Sequence, residues 1–114
     1  MKISEDGQLL RIFIGESDRW QGKPLYEAII LKARELGIAG ATMLRGLMGF
    51  GAASRIHTAK ILRLSEDLPV VVEIVDSADK IDLLLPMIDE MVQDGMVTLE
   101  KVRVIEYRAK ARSG

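Results

Sequence analysis

Apolar positions alternate along the first strand-like stretch of the chain. From Gln8 to Gly15, Leu10, Ile12 and Ile14 share one side, and Leu9, Arg11 and Phe13 share the other. Two mostly apolar sides predict a strand inside a sheet, covered on at least part of both faces. Glu16 to Gly22 is polar and closes on glycine, which reads as a loop. The period then lengthens. Leu25, Ala28, Ile29, Lys32, Ala33 and Leu36 recur at helical spacing and predict a helix over 23–36. Pro24 suits its first turn, Gly37 suits its end, and the Lys32 stem borders the stripe. Ala41 to Gly46 reads as a second strand, and Leu68 to Val75, β-branched through its centre, as a third. Ile81, Leu84, Leu85, Ile88, Met91 and Val92 make the stripe of a second helix, capped by Asp76 or Ser77 and running to about Asp94. Pro86 inside it predicts a kink or a division near Leu85. Met96 to Tyr107 reads as a fourth strand. Its apolar phase slips between Leu99 and Val102, which predicts a β-bulge or a change of buried face.

Strand, helix, strand, long connection, strand, helix, strand is the order of an α+β protein. Two βαβ-like halves with both helices on one face make a ferredoxin-like βαββαβ sandwich. The whole of 1–114 reads as one domain, with its core over about 8–108. In such a sandwich the other sheet face has no helices, so apolar residues there predict cover by another subunit. The connection from Gly46 to about Ser65 is long for a compact domain, and connections of that length are functional or disordered.

Composition narrows the possibilities. The net charge of −1 gives no global pull toward nucleic acid or an anionic membrane. With no cysteine there is no disulfide framework, thiolate metal site or cysteine nucleophile. Met1 to Gly7 is too acidic and too poor in apolar residues for a signal peptide. Val70-Val71-Val72 and Leu83-Leu84-Leu85 are too short to span a bilayer. The expectation is a soluble cytoplasmic protein without direct membrane insertion.

Charge is distributed unevenly. Between Glu35 and Glu66 there is no acidic residue, while Arg45, Arg55, His57, Lys60 and Arg63 all fall there. At the centre of this stretch is Arg45-Gly46-Leu47-Met48-Gly49-Phe50-Gly51. Glycines let backbone N–H groups approach a phosphate closely, and arginine grips phosphate through two parallel hydrogen bonds. A mobile, solvated loop is the plain alternative. The run is not a Walker loop, since no Gly-Lys-Ser/Thr opens a helix. His57 is the single histidine and has no acidic neighbour in sequence, so no metal site is expected. Asp76 and Asp79 complement a helix dipole rather than form a metal cluster with Asp82. Trp20 is expected to pack against the core or an interface. No hydrolase signature is present, and two separated phenylalanines make no RNA-stacking surface.

Gly37-Ile38-Ala39-Gly40-Ala41-Thr42, then Gly49-Phe50-Gly51, His57-Thr58 and Leu68-Pro69-Val70-Val71-Val72-Glu73-Ile74-Val75 follow one another in an order that resembles the PII nitrogen-regulatory signal proteins. The resemblance extends to PII-like proteins of unknown function through Trp20-x-Gly22-x-Pro24-Leu25-Tyr26, Arg45-Gly46-x-x-Gly49-Phe50-Gly51, Ile56-His57 and Leu64-Ser65-x-Asp67-Leu68-Pro69. It covers residues 8 to 108 and implies a homotrimer with nucleotide sites in the clefts between subunits. It also implies a protein partner engaged through the 46–65 loop. Thr42, Arg45, Gly46, Gly49, Phe50, Gly51, Arg55, His57 and Arg108 are the implied nucleotide-binding residues, Arg108 being contributed to the adjacent subunit's site.

The departures from that pattern narrow the ligand. PII proteins carry a Gln shortly after Gly-Phe-Gly that serves magnesium and oxoglutarate; here Ala52-Ala53-Ser54 stands there. Their phosphate-binding Lys before the last strand is replaced by Met96 in Asp94-Gly95-Met96. AMP or ADP is therefore expected over ATP, with no metal and no catalysis. A nucleotide-independent interaction module is the alternative, and a small phosphoryl-transfer enzyme a more distant one.

Overall fold

Strand β1, Asp6–Gly15, is the strand around which the sheet is built. In the computed structural model, which describes residues 6–50 and 68–110, β1 pairs antiparallel on both sides. One neighbour is β5, Pro69–Asp76, in register from Gln8↔Asp76 to Gly15↔Pro69. The other is β6, Met96–Arg103, from Asp6↔Arg103 to Phe13↔Met96. Strand β4, Ala41–Arg45, pairs with the far side of β5, from Ala41↔Ile74 to Arg45↔Val70. The order β4-β5-β1-β6 leaves β4 and β6 as the two edges. This is the ferredoxin-like arrangement that the element order predicts.

Alternation along the central strands decides which face is covered. Leu10, Ile12, Val70, Val72 and Ile74 are buried on one side. Helix α1, Leu25–Glu35, and helix α2, Ala78–Met91, pack there with Leu25, Ala28, Ile29 and Ala33 from the first and Ile81, Leu84, Ile88 and Met91 from the second. Each fully buried aliphatic side chain contributes roughly 1.5–3 kcal/mol.

The helix ends follow from local chemistry. Pro24 is the N-cap residue of α1, with φ −56 already set. At the other end Gly37 takes φ +76, Gly37 N–H bonds Arg34 C=O, and Ile38 N–H bonds Ala33 C=O. Those two bonds form a Schellman stop, with Ile38 buried beneath it. Ser77 caps α2 by accepting from the Lys80 N–H at 3.4 Å.

The structure decides between alternatives at two places and corrects the expectation at two more. Of the kink or division expected at Pro86, the division does not occur: α2 is continuous from Ala78 to Met91. Pro86 and Asp82 both lie on the exposed side, where water can take the Asp82 carbonyl that loses its donor. The register of β6 is continuous, so of the two readings expected for the slip after Leu99 the change of face holds and the bulge does not: Val102 lies opposite Gly7 on the helix-free side. The strand also stops at Arg103 rather than Tyr107. The polar segment after β1 contains a two-residue ribbon, β2 (Arg19–Trp20) against β3 (Lys23–Pro24). Its turn residues, Gln21 at φ 47 and Gly22 at φ 82, both adopt positive φ, as a primed hairpin turn requires.

Candidate functional site

Strand β4, an edge of the sheet among the described residues, has a distinct group of residues at each end. At its start, Ala39 and Gly40 lead from α1 into Ala41 and Thr42. A hollow of about 240 Å³ opens there, lined by Ile30, Ala33, Arg34 and Ile38 to Ala41. Ala39 in its lining is held by a buried carboxylate. Asp76, 2% exposed, accepts from the Ala39 N–H at 2.9 Å and the Ser77 N–H at 2.6 Å. The Tyr107 hydroxyl donates to the Ala39 carbonyl at 3.3 Å, which brings the segment after β6 to the same end of the sheet. Thr42 lies opposite Glu73 on the helix-free face.

At the end of β4 the chain enters the long connection. The Gly46 N–H donates to the Pro69 carbonyl at 2.7 Å, so the two roots of the connection are joined. A Cβ on Gly46 would meet Pro69 Cγ at 2.8 Å, and one on Gly49, at φ +155, would meet it at 3.2 Å. Glycine at these positions lets the two backbones approach. Arg45 forms an ion pair with Glu16, the residue that follows β1. Leu47, Met48 and Phe50 are exposed at 90%, 61% and 64%.

Placement of the implied ligand residues is therefore divided. Thr42 lies near the start of β4, and Arg45, Gly46, Gly49 and Phe50 lie at its end. Arg108 follows Tyr107 at the Thr42 end, exposed and paired with Glu106 at 2.5 Å. One protomer does not bring Arg108 to Arg45. Gly51, Arg55 and His57 lie outside the described residues, as do Lys60 and Arg63. Trp20 packs partly buried against the core. Among the described residues no group of three or more potential ligands is placed to hold a metal ion. No helix among them is long and apolar enough to cross a membrane.

The sequence reading missed two acids. Glu16 and Glu73 both contact arginines, and the acid-free stretch drew attention to the cations without their counter-charges. Glu73 belongs to a cluster on the helix-free face. Arg11 Nε donates to Glu73 Oε2 at 2.8 Å and Arg11 Nη1 to Glu100 Oε1 at 2.6 Å. The Glu73 hydrogen bond, opposed by desolvation and reinforced by Glu100, raises the Arg11 pKa above its ordinary value. Phe13, Leu44 and Met96 stand exposed on the same face, at 37%, 49% and 61%. The alternation of β1 puts Leu9, Arg11 and Phe13 there, and this is the side that the sequence predicts to need another subunit.

The chain belongs to the family described as DUF190, Uncharacterized ACR, whose model matches residues 7–104. A UPF0166 protein from Aquifex aeolicus is 42% identical over 98 residues, 86% of this chain and 92% of that one. A UPF0166 protein from Methanocaldococcus jannaschii is 32% identical over 98 residues, 85% of this chain and 90% of that one. Among solved structures, CPII from Thiomonas intermedia K12, a nitrogen regulatory PII-like protein bound to ADP, AMP and bicarbonate, superposes with a TM-score of 0.63. It is 16% identical, and the match covers 87% of this chain and 88% of that one. A PII-like signaling protein from Thermus thermophilus gives a TM-score of 0.62 at 17% identity, covering 92% and 94%. At such identities the likeness shows the fold, which is PII-like.

Proposed function

We propose that this member of the DUF190 family is a cytoplasmic regulatory protein that binds AMP or ADP in clefts between the subunits of a homotrimer. It acts by binding, without turnover, and passes the ligand state to a protein partner through the 46–65 connection.

One observation carries the reading. Among the described residues β4 is an edge of the sheet, with a hollow at its start and an arginine and closely packed glycines at its end. Its five residues span about 13 Å at the usual rise per residue. A nucleotide lying along this edge has its base at Gly40 to Thr42 and its phosphates toward Arg45 and Gly49. No described strand pairs with the outer side of that edge, and a second subunit closes it. The helix-free sheet face, with Phe13, Leu44 and Met96, provides the surface for that subunit. The same assembly would bring Arg108 of one subunit to the phosphates held by the next. The nucleotides bound to the CPII structure support the choice of ligand class.

Exposed Leu47, Met48 and Phe50 beside the cleft favour a protein partner there. Titration calorimetry with AMP, ADP and ATP tests the nucleotide reading. Heat of binding that saturates with AMP or ADP supports it. No binding of any of the three at millimolar ligand refutes it and leaves a nucleotide-independent interaction module.

A further inference from the structure

Arg45, the cation at the end of β4, does not face the cleft unoccupied. Its side chain crosses the first residues of β5 to pair with Glu16, which lies just beyond Gly15 on the next strand over. The Glu16 side chain is only 18% exposed. Its backbone is fixed as well: the Glu16 N–H donates to the Leu68 carbonyl at 2.8 Å. The turn around it is held by Asp18, whose carboxylate accepts from the Gly15 N–H at 3.0 Å and whose N–H donates to the Gly15 carbonyl at 3.2 Å. With the backbone of Glu16 fixed, its carboxylate stays within a side chain's reach of Arg45 when a second anion arrives.

We propose that Glu16 is the specificity-determining residue of the cleft, a built-in counter-anion on Arg45 that limits how much negative charge a ligand can bring. This rests on the nucleotide reading above. A phosphate approaching Arg45 must share the guanidinium with Glu16 or displace it. In either case the carboxylate stays close and repels the ligand, and the repulsion grows with ligand charge. The cleft thus prefers a nucleoside monophosphate or diphosphate to a triphosphate by repulsion. A missing phosphate-binding lysine alone would weaken phosphate binding without supplying that repulsion.

The test is calorimetry of the full chain with AMP, ADP and ATP, comparing wild type with Glu16→Gln. Freeing Arg45 helps every ligand, but loss of repulsion helps the most charged one most. The expected gain is about threefold for AMP and at least about tenfold for ATP. Glu16→Ser, which removes the charge without keeping the shape, gives the same ranking. Glu16→Asp, which keeps the charge, retains the wild-type preference. If the variants bind all three nucleotides with one common change in affinity, or with none, Glu16 is a structural clasp only and the proposal fails while the nucleotide reading stands. If neither wild type nor variants bind any nucleotide, both fail.

Discussion

Replacing Gly95 with alanine tests how tightly the turn from α2 into β6 is built against the central strand. Gly95 has φ +154, a conformation that L residues rarely adopt. A Cβ there would come within 2.5 Å of the Phe13 carbonyl oxygen, 3.1 Å of Ile14 Cγ2 and 3.2 Å of Val92 Cγ1. The first of these is backbone of β1, opposite Met96 in the ladder, so relief means moving the start of β6 away from its partner. A residue forced into unfavoured backbone space costs about 1–3 kcal/mol. Overpacking against a fixed neighbour costs about as much again. The expected loss is roughly 2–6 kcal/mol, a large part of the ~5–15 kcal/mol that holds a domain folded. At ~4–8 °C per kcal/mol, the melting midpoint should fall by at least about 8 °C. Thermal denaturation followed by circular dichroism, at one fixed protein concentration, measures this. Gly40→Ala is the control: nothing lies within 4 Å of its Cβ position, and the change should be under about 1 kcal/mol. A Gly95→Ala protein melting within about 4 °C of wild type would refute the packing described for this turn.

Single side chains give further tests. Asp76→Ala strips two part-buried N–H groups, those of Ala39 and Ser77, of their buried acceptor and should cost about 2–4 kcal/mol in urea denaturation; a loss below about 1 kcal/mol contradicts the role given to Asp76. Pro86→Ala restores a helical donor on the exposed side of α2 and should stabilise the protein by about 1–3 kcal/mol, read as a higher denaturation midpoint; an unchanged or lower midpoint speaks against the account of that helix. Arg11→Met leaves Glu73 and Glu100 as unshielded like charges on the helix-free face. Sedimentation velocity should then show a shift toward monomer, and an unaltered distribution would separate that face from assembly.

Much of the fold was legible because burial alternates with strict period in the strands that matter. Leu10, Ile12 and Ile14 are buried together, as are Val70, Val72 and Ile74, and the helix stripes ended where Gly37 and Ser77 predict. The elements misread are those in which tertiary context overrides local preference. Gln21 adopts positive φ beside Gly22, although its residue type gives no turn signal. Pro86 is tolerated because it faces solvent, and the face of a helix residue depends on packing around it. At the edge, Val97 and Leu99 are 41% and 45% exposed, so their apolar phase did not mark a covered strand in one subunit. The site was legible only by its cations and glycines. The pairing of Arg45 with Glu16 joins residues distant in sequence, and only the strand register shows that the end of β1 lies within reach of the end of β4.

The central claim, a nucleotide held between subunits, is tested most directly by native mass spectrometry of the purified protein with ADP. The account predicts a trimer that takes up to three ADP molecules, with the bound series lost when Arg45 is replaced by glutamine. A monomer, or a trimer that remains free of nucleotide at millimolar ADP, would contradict it.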